Sequence, residues 1–201
     1  MKRLLFVMLL ALTGVSGANA PLADISALLA KPRLMCGHFE QEKQLVGIKK
    51  PLVSEGRFCV EVNKAITWDT QRPFANTLQV TPDKIIQAHE GQVTSELDAR
   101  QEPVVRMINN VLFSLLAGDL SQLDKVFLIQ GSIKNGTWSV LLKARDASLE
   151  AAIGTIHLQG DQFVKKVILQ EQEGDRTTIV FSAMVTGAKA ANLLAKLPRL
   201  S

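Results

Sequence analysis

The sequence lacks the short motifs that identify many enzymes and metal proteins. Its three histidines, His38, His89 and His157, are far apart and have neither the H-x-x-x-H nor the H-x-H spacing of a metal site. It contains no G-x-S-x-G nucleophile motif and no glycine-rich loop of the kind that binds phosphate. We therefore predict no catalytic residues, no metal site and no cofactor.

A strong excess of one charge is also missing. The chain has 23 lysines and arginines against 19 aspartates and glutamates, and its basic residues do not form a long block. Proteins that bind nucleic acids usually carry a concentrated basic patch. The charge pattern therefore predicts no nucleic-acid partner.

Apolar runs long enough to cross a membrane are absent after the first twenty residues. Within those twenty, a basic start and an apolar run over 4–15 precede the small-residue ending Ala18-Asn19-Ala20, which is the pattern of a secretory signal peptide cleaved after residue 20. No cysteine near that site is available to accept a lipid anchor. We therefore expect a periplasmic monomer without an anchor, formed by residues 21–201 as a single domain.

The chain has two cysteines, Cys36 and Cys59. An even count in an exported chain favours a disulfide, and neither a C-x-x-C redox pair nor a lone thiol is present. If the strands around the two residues pair through a turn near Gly47, the cysteines lie almost opposite each other. We predict a structural disulfide, worth about 3 kcal/mol, on the outer and polar face of a sheet.

Strand-like alternation of polar and apolar residues dominates the mature chain. Phe39 alternates with polar neighbours, and Phe58 and Val60 do so in the next segment. Turn pairs such as Asn135-Gly136 predict antiparallel neighbours. Later strands are predicted at 84–89, 126–133, 137–143, 155–159, 163–170 and 177–184, with 91–102 as a polar connector.

Helical periodicity is confined to a few segments. It predicts helices over 22–29, 103–118 and 188–197 and a helical turn over 120–124. The 103–118 segment has a broad apolar stripe. Many strands with helices segregated to one side of a curved antiparallel sheet indicate the α+β class.

One face of the N-terminal strands is continuously apolar. Its members are Phe39, Phe58, Val60, Trp68, Phe74 and Leu78. Together with the 103–118 helix, this face forms either an ordinary core or a cavity for acyl chains, in which each buried methylene contributes about 0.8 kcal/mol. The pattern alone leaves both interpretations open.

The first strands resemble a known family. The segments F-E-Q-E-K from Phe39 to Lys43 and P-L-V-S-E-G-R-F from Pro51 to Phe58, with Trp68 and Pro73-Phe74, are similar to those of periplasmic outer-membrane lipoprotein carriers of the LolA-like type. The resemblance implies a strongly curved, incomplete antiparallel β-barrel of the LolA/LolB type, covered by helices on its concave side. It implies no catalysis.

The resemblance also implies roles for particular residues. Phe39, Phe58 and Trp68 match apolar positions of the family, and with Val60, Phe74 and Leu78 they would line a hydrophobic cavity. The helix from Val104 to Leu116 would be its lid, through Met107, Ile108, Val111 and Leu115. The carriers have an arginine that ties lid to barrel, and counting back from Trp68 places Val62 at that position. The chain is therefore identified as a divergent member of the family.

Two functions are consistent with this resemblance. The first is a periplasmic carrier that takes an acylated lipoprotein or lipid from an inner-membrane donor protein to an outer-membrane acceptor protein. The second is a periplasmic sensor or adaptor of the same fold that binds a protein partner. A hydrolase would require a nucleophile and a base brought together by the fold, which no spacing in the sequence indicates.

Overall fold

Antiparallel strands are the main secondary structure of the computed structural model, which describes residues 22–98, 101, 113–114, 120, 123–171 and 173–200. In this part of the chain eleven strands form one sheet. The strands are β1 (Leu34–Gln44), β2 (Leu52–Glu61), β3 (Ala65–Arg72), β4 (Asn76–Val80), β5 (Lys84–His89), β6 (Gln92–Asp98), β7 (Phe127–Lys134), β8 (Thr137–Ala144), β9 (Thr155–Gly160), β10 (Val164–Gln170) and β11 (Arg176–Thr186).

The sheet consists of two meanders joined at one seam. Its strand order is β6-β5-β4-β3-β2-β1-β11-β10-β9-β8-β7, so the first strand pairs with the last. Strands β6 and β7 are the two edges, and the sheet does not close into a full barrel. The predicted fold class, an incomplete and curved antiparallel barrel, is confirmed.

Tight turns connect neighbouring strands where the sequence supplies residues that tolerate a positive φ. Between β7 and β8, Asn135 has φ 51° and Gly136 has φ 74°, which suits a two-residue hairpin turn. This turn was predicted from the Asn-Gly pair.

Three short helices and one 3-10 turn that lie wholly within the described residues accompany the sheet. They are α1 (Leu22–Leu28), the 3-10 turn Leu123–Lys125, α2 (Ala147–Ile153) and α3 (Gly187–Leu194). Helix α2 starts at Asp146, whose carboxylate accepts hydrogen bonds from the backbone N–H groups of Ser148 and Leu149. None of the helices that the structure describes is long and apolar enough to cross a membrane.

The main hydrophobic core lies on one face of the sheet, called here the concave face. Strands of both meanders contribute to it, with Phe58, Trp138 and Leu158 fully buried. Ile25 of α1 and Leu149 of α2 pack into the same cluster. The predicted arrangement of helices on the concave side is therefore confirmed for α1 and α2.

Helix α3 covers the opposite, convex face. It packs against β1, β2 and β11, where Ala190 and Leu197 form a second small cluster with Cys36 and Cys59. The predicted closing helix is thus present, with bounds Gly187–Leu194 instead of 188–197. It lies outside the main core.

The predicted disulfide between Cys36 and Cys59 is confirmed. The two residues are directly paired across β1 and β2. The expectation that they face a polar surface is wrong, because both are buried beneath α3. The alternation of polar and apolar residues in β1 and β2 does not reveal that apolar residues of α3 and the C-terminal segment cover the convex face.

Some local predictions differ from the structure. Strand β5 has the predicted bounds, but residues 92–98 form β6 where a polar connector was predicted. Helix α2 was not predicted. The predicted 103–118 helix lies outside the described residues, apart from Phe113 and Ser114, which are helical.

Candidate ligand-binding site

An aromatic cluster occupies the concave face near the seam between the two meanders. Phe39 of β1 stacks on Trp68 of β3 with ring centroids 3.9 Å apart, and Phe58 of β2 lies 6.0 Å from Trp68. The three side chains share a face because each stands at a concave position of its strand, with Phe58 directly opposite Trp68. The sequence-predicted aromatic residues of these strands are therefore brought together.

Phe181 of β11 completes the cluster and was missed in the sequence. Its ring lies 4.9 Å from Phe58 and meets Trp68 edge to face at 5.9 Å. Phe181 pairs directly with Phe39 across the seam. Alternation within the predicted 177–184 strand was a usable signal, but only the pairing of β1 with β11 shows that Phe181 belongs here.

Val60 and Leu78 extend the same apolar face. Val60 is buried in the main core, and Leu78 is half-buried and pairs with Trp68. We define the aromatic cluster as Phe39, Phe58, Trp68 and Phe181. That these side chains line a ligand cavity remains a prediction.

The prediction that Phe74 belongs to this face is wrong. It lies in the turn between β3 and β4 and is 76% exposed. Alternation does not continue through that turn, because a bulge at the end of β3 interrupts the regular pairing of the strand. Phe74 is therefore a surface residue.

The predicted lid residues Met107, Ile108, Val111 and Leu115 lie outside the described residues. Within the same segment, Phe113 is half-buried and packs against the main core. The lid function of this helix stays a prediction.

The position of the family's lid arginine carries no cation here. Val62 follows β2 and its backbone N–H donates to the carbonyl of Arg33 at 3.0 Å. Lys64, the nearest base, forms an ion pair with Glu61 at 2.8 Å. Neither residue supplies a positive charge to the aromatic cluster.

Ionic contacts are concentrated on the convex face. Arg57 and Asp69, paired across β2 and β3, form an ion pair of 3.0 Å, and Thr77 approaches the same carboxylate at 3.5 Å. These contacts help to fix the position of β3 relative to β2.

One pair of side chains on the convex face has the contact of a nucleophile and a base. The hydroxyl of Ser139 lies 2.8 Å from Nε2 of His157, across β8 and β9. Both side chains are half-buried, and Ser139 lines an open cleft of about 380 Å³ together with Thr137 and Gln159. Among the described residues, no group of three or more histidine, cysteine or acidic side chains is arranged to hold a metal ion.

Two further clefts lined by described residues open on the convex side. One of about 290 Å³ lies between β2 to β4 and the C-terminal residues Leu194 and Pro198. Another of about 390 Å³ is lined by charged side chains, including Glu40, Glu55 and Arg72. The first has a mixed polar and apolar lining, the second has a mainly polar one, and both are partly open to solvent. The concave aromatic cluster is therefore the better candidate for an apolar ligand.

Comparison with known proteins gives one family. Residues 18–200 match the family model described as "Outer membrane lipoprotein carrier protein LolA-like". No curated protein sequence matches the chain.

The solved structures that match this chain have very different sequences. A LolA superfamily protein from Nitrosomonas europaea is 8% identical, with 83% of this chain and 91% of that chain covered and a TM-score of 0.46. A DUF1329 family protein from Desulfovibrio piger is 9% identical, with the same coverage and a TM-score of 0.45. The Pseudomonas aeruginosa MucA/MucB complex gives 16% identity, 83% and 56% coverage and a TM-score of 0.38. A shared ligand does not follow from identities this low.

Proposed function

Because the chain belongs to the LolA-like family of outer membrane lipoprotein carrier proteins, we propose that it is a periplasmic carrier. Its concave face shields the acyl chains of a lipoprotein or lipid during transfer from the inner to the outer membrane. The family match confirms the resemblance found in the first strands. The cargo, the donor and the acceptor are part of the proposal.

The observation that carries this proposal is the aromatic cluster on the concave side of an open sheet. Four rings from β1, β2, β3 and β11 lie within 6.0 Å of a neighbouring ring. Phe39, Phe58 and Phe181 are buried in the main core, and Trp68 is the ring of the cluster with substantial exposed area. Trp68 is only half-buried, so part of it remains available for contact. Burying a long acyl chain against such a surface yields on the order of 10 kcal/mol of gross transfer free energy.

Replacing Trp68 with alanine is expected to weaken lipid uptake about ten-fold or more while the protein still folds. The substitution removes the ring that stacks on Phe39, and a ten-fold loss corresponds to about 1.4 kcal/mol of contact. Uptake is measured by displacement of N-phenyl-1-naphthylamine with monopalmitoylglycerol, and folding by circular dichroism.

Phe74→Ala is the matched control, because it removes an exposed ring near the end of the same strand. It should leave uptake unchanged. Native mass spectrometry of protein purified from its own host identifies bound cargo. If the protein holds no lipid and takes up none, the carrier proposal is wrong, and capture of a protein partner by lipid-free material would favour the adaptor.

A further inference from the structure

The two faces of the N-terminal meander differ sharply in charge. On β1 to β5 and β11, the concave positions of the described residues carry two ionisable side chains, Lys43 and His89. Both stand at the ends of their strands. Lys43 lies 3.4 Å from Glu171, and Nδ1 of His89 lies 2.7 Å from the carbonyl oxygen of Ala75.

The convex positions of the same strands carry the remaining charges. They include Glu40, Glu42, Glu55, Arg57 and Asp69. A charge moved from water to an apolar surface without a partner costs several kcal/mol. Among the described residues, no charged side chain stands beside the aromatic cluster to pair with a charged group of a ligand.

Uncharged polar side chains replace the charges on the concave face. They lie next to the aromatic cluster, at the end of the strands near the β1–β2 and β3–β4 turns, and form what we call the polar band. Its members are Gln41, Ser54, Thr70, Asn76 and Gln87.

Several side chains of the polar band have hydrogen-bonding groups that are not paired with another described residue. Nε2 of Gln87 donates to Oδ1 of Asn76 at 3.3 Å. The side chains of Gln41, Ser54 and Thr70 are half-buried and make no side-chain hydrogen bond to another described residue. Half-buried donors and acceptors without a protein partner favour a ligand that supplies one.

We propose that the site selects an amphiphile with an uncharged, hydrogen-bonding head group. Its apolar chain lies over the aromatic cluster and its head lies against the polar band, an inference that rests on the proposed carrier function. A glyceryl ester has this chemistry, either in a free neutral acylglycerol or in an acylated glyceryl group attached to a peptide. A carboxylate, a phosphate or a quaternary ammonium does not.

The test compares amphiphiles with the same chain and different heads. Monopalmitoylglycerol, palmitate and hexadecyltrimethylammonium each compete with N-phenyl-1-naphthylamine below their micelle concentrations, alongside a lipopeptide with an S-dipalmitoylglyceryl cysteine. Monopalmitoylglycerol or the lipopeptide should compete at a concentration about ten-fold or more below that of either charged amphiphile. Which of the two competes better distinguishes a free lipid from a peptide-borne group.

Variants of the polar band locate the selectivity. Thr70→Val keeps the side-chain volume and removes the hydroxyl, so it should weaken the preference for the neutral head. Gln41→Lys places a cation beside the aromatic cluster and should strengthen palmitate binding several-fold. Thr178→Val makes the same change as Thr70→Val on the convex face of β11 and should have no effect.

Two failures are distinguishable. Equal competition by neutral and charged amphiphiles, or a palmitate affinity unchanged in Gln41→Lys, would overturn the head-group selectivity and leave the carrier proposal standing. Competition by none of the four amphiphiles would overturn the carrier proposal and this inference with it.

Discussion

Trp138→Ala is expected to lower the free energy of unfolding by about 3–5 kcal/mol, the range for deleting a large buried aromatic side chain. Trp138 is 0% exposed in the core of the C-terminal meander. It stands opposite Gly160, where an added Cβ would lie 2.6 Å from the indole. The site is therefore shaped for this ring, and its removal leaves a cavity. Urea unfolding followed by circular dichroism measures the loss.

Trp138→Phe separates the contribution of side-chain volume to stability from that of the indole hydrogen bond. The indole N–H donates to the carbonyl of Asp161 at 2.5 Å, and phenylalanine loses this bond while keeping much of the apolar volume. The expected loss is about 1–2 kcal/mol. A loss below 1 kcal/mol for Trp138→Ala would show that the surrounding strands collapse onto the cavity. Lipid uptake by the folded fraction should stay unchanged, since Trp138 is outside the aromatic cluster.

Replacing both Cys36 and Cys59 with alanine is expected to cost about 3 kcal/mol of stability. The disulfide closes a loop with a sequence separation of 23, and its loss restores conformational freedom to the unfolded chain. The variant should still form the same sheet, because β1 and β2 pair over ten residue pairs. Denaturant unfolding of the oxidised protein and the double variant provides the comparison.

Because the disulfide is buried, its rate of reduction provides a second test of the packing around it. The sulfur of Cys36 lies 3.3 Å from the carbonyl of Ala190, and Leu197 is buried against the same cluster. A thiol reagent reaches the bond only when α3 detaches. Leu197→Ser should therefore accelerate reduction under native conditions, as measured by alkylation and mass spectrometry. Rapid reduction of the unmodified protein would contradict this cover.

Much of the sheet was predictable because the alternation of polar and apolar residues and the positions of turn-forming residues indicate the same strands. The bounds of β5 follow from alternation between turn residues, and the β7–β8 hairpin follows from Asn135-Gly136. Strand β6 was missed because it is an edge strand with exposed side chains, so neither face shows an apolar pattern. Helix α2 has a signal in the capping residue Asp146, but its seven residues are too few for a clear helical period.

The site was predictable only within continuous strands. Phe39, Phe58 and Trp68 were correctly placed together, since each lies in an uninterrupted strand. Phe74 was misplaced because alternation was extended through a turn. Phe181 was missed because its neighbours are more than a hundred residues away in the sequence, and pairing at that distance is a property of topology.

The seam between β1 and β11 also constrains how the chain is made. Strand β1 is synthesised first but pairs with β11, which is synthesised last. Phe181 therefore reaches the other aromatic rings only after β11 has been made. Contacts between such distant residues form late, because a long loop must be closed first. Until then β1 presents an unpaired edge next to a half-built apolar surface. A nascent chain that stops before β11 would therefore aggregate through β1.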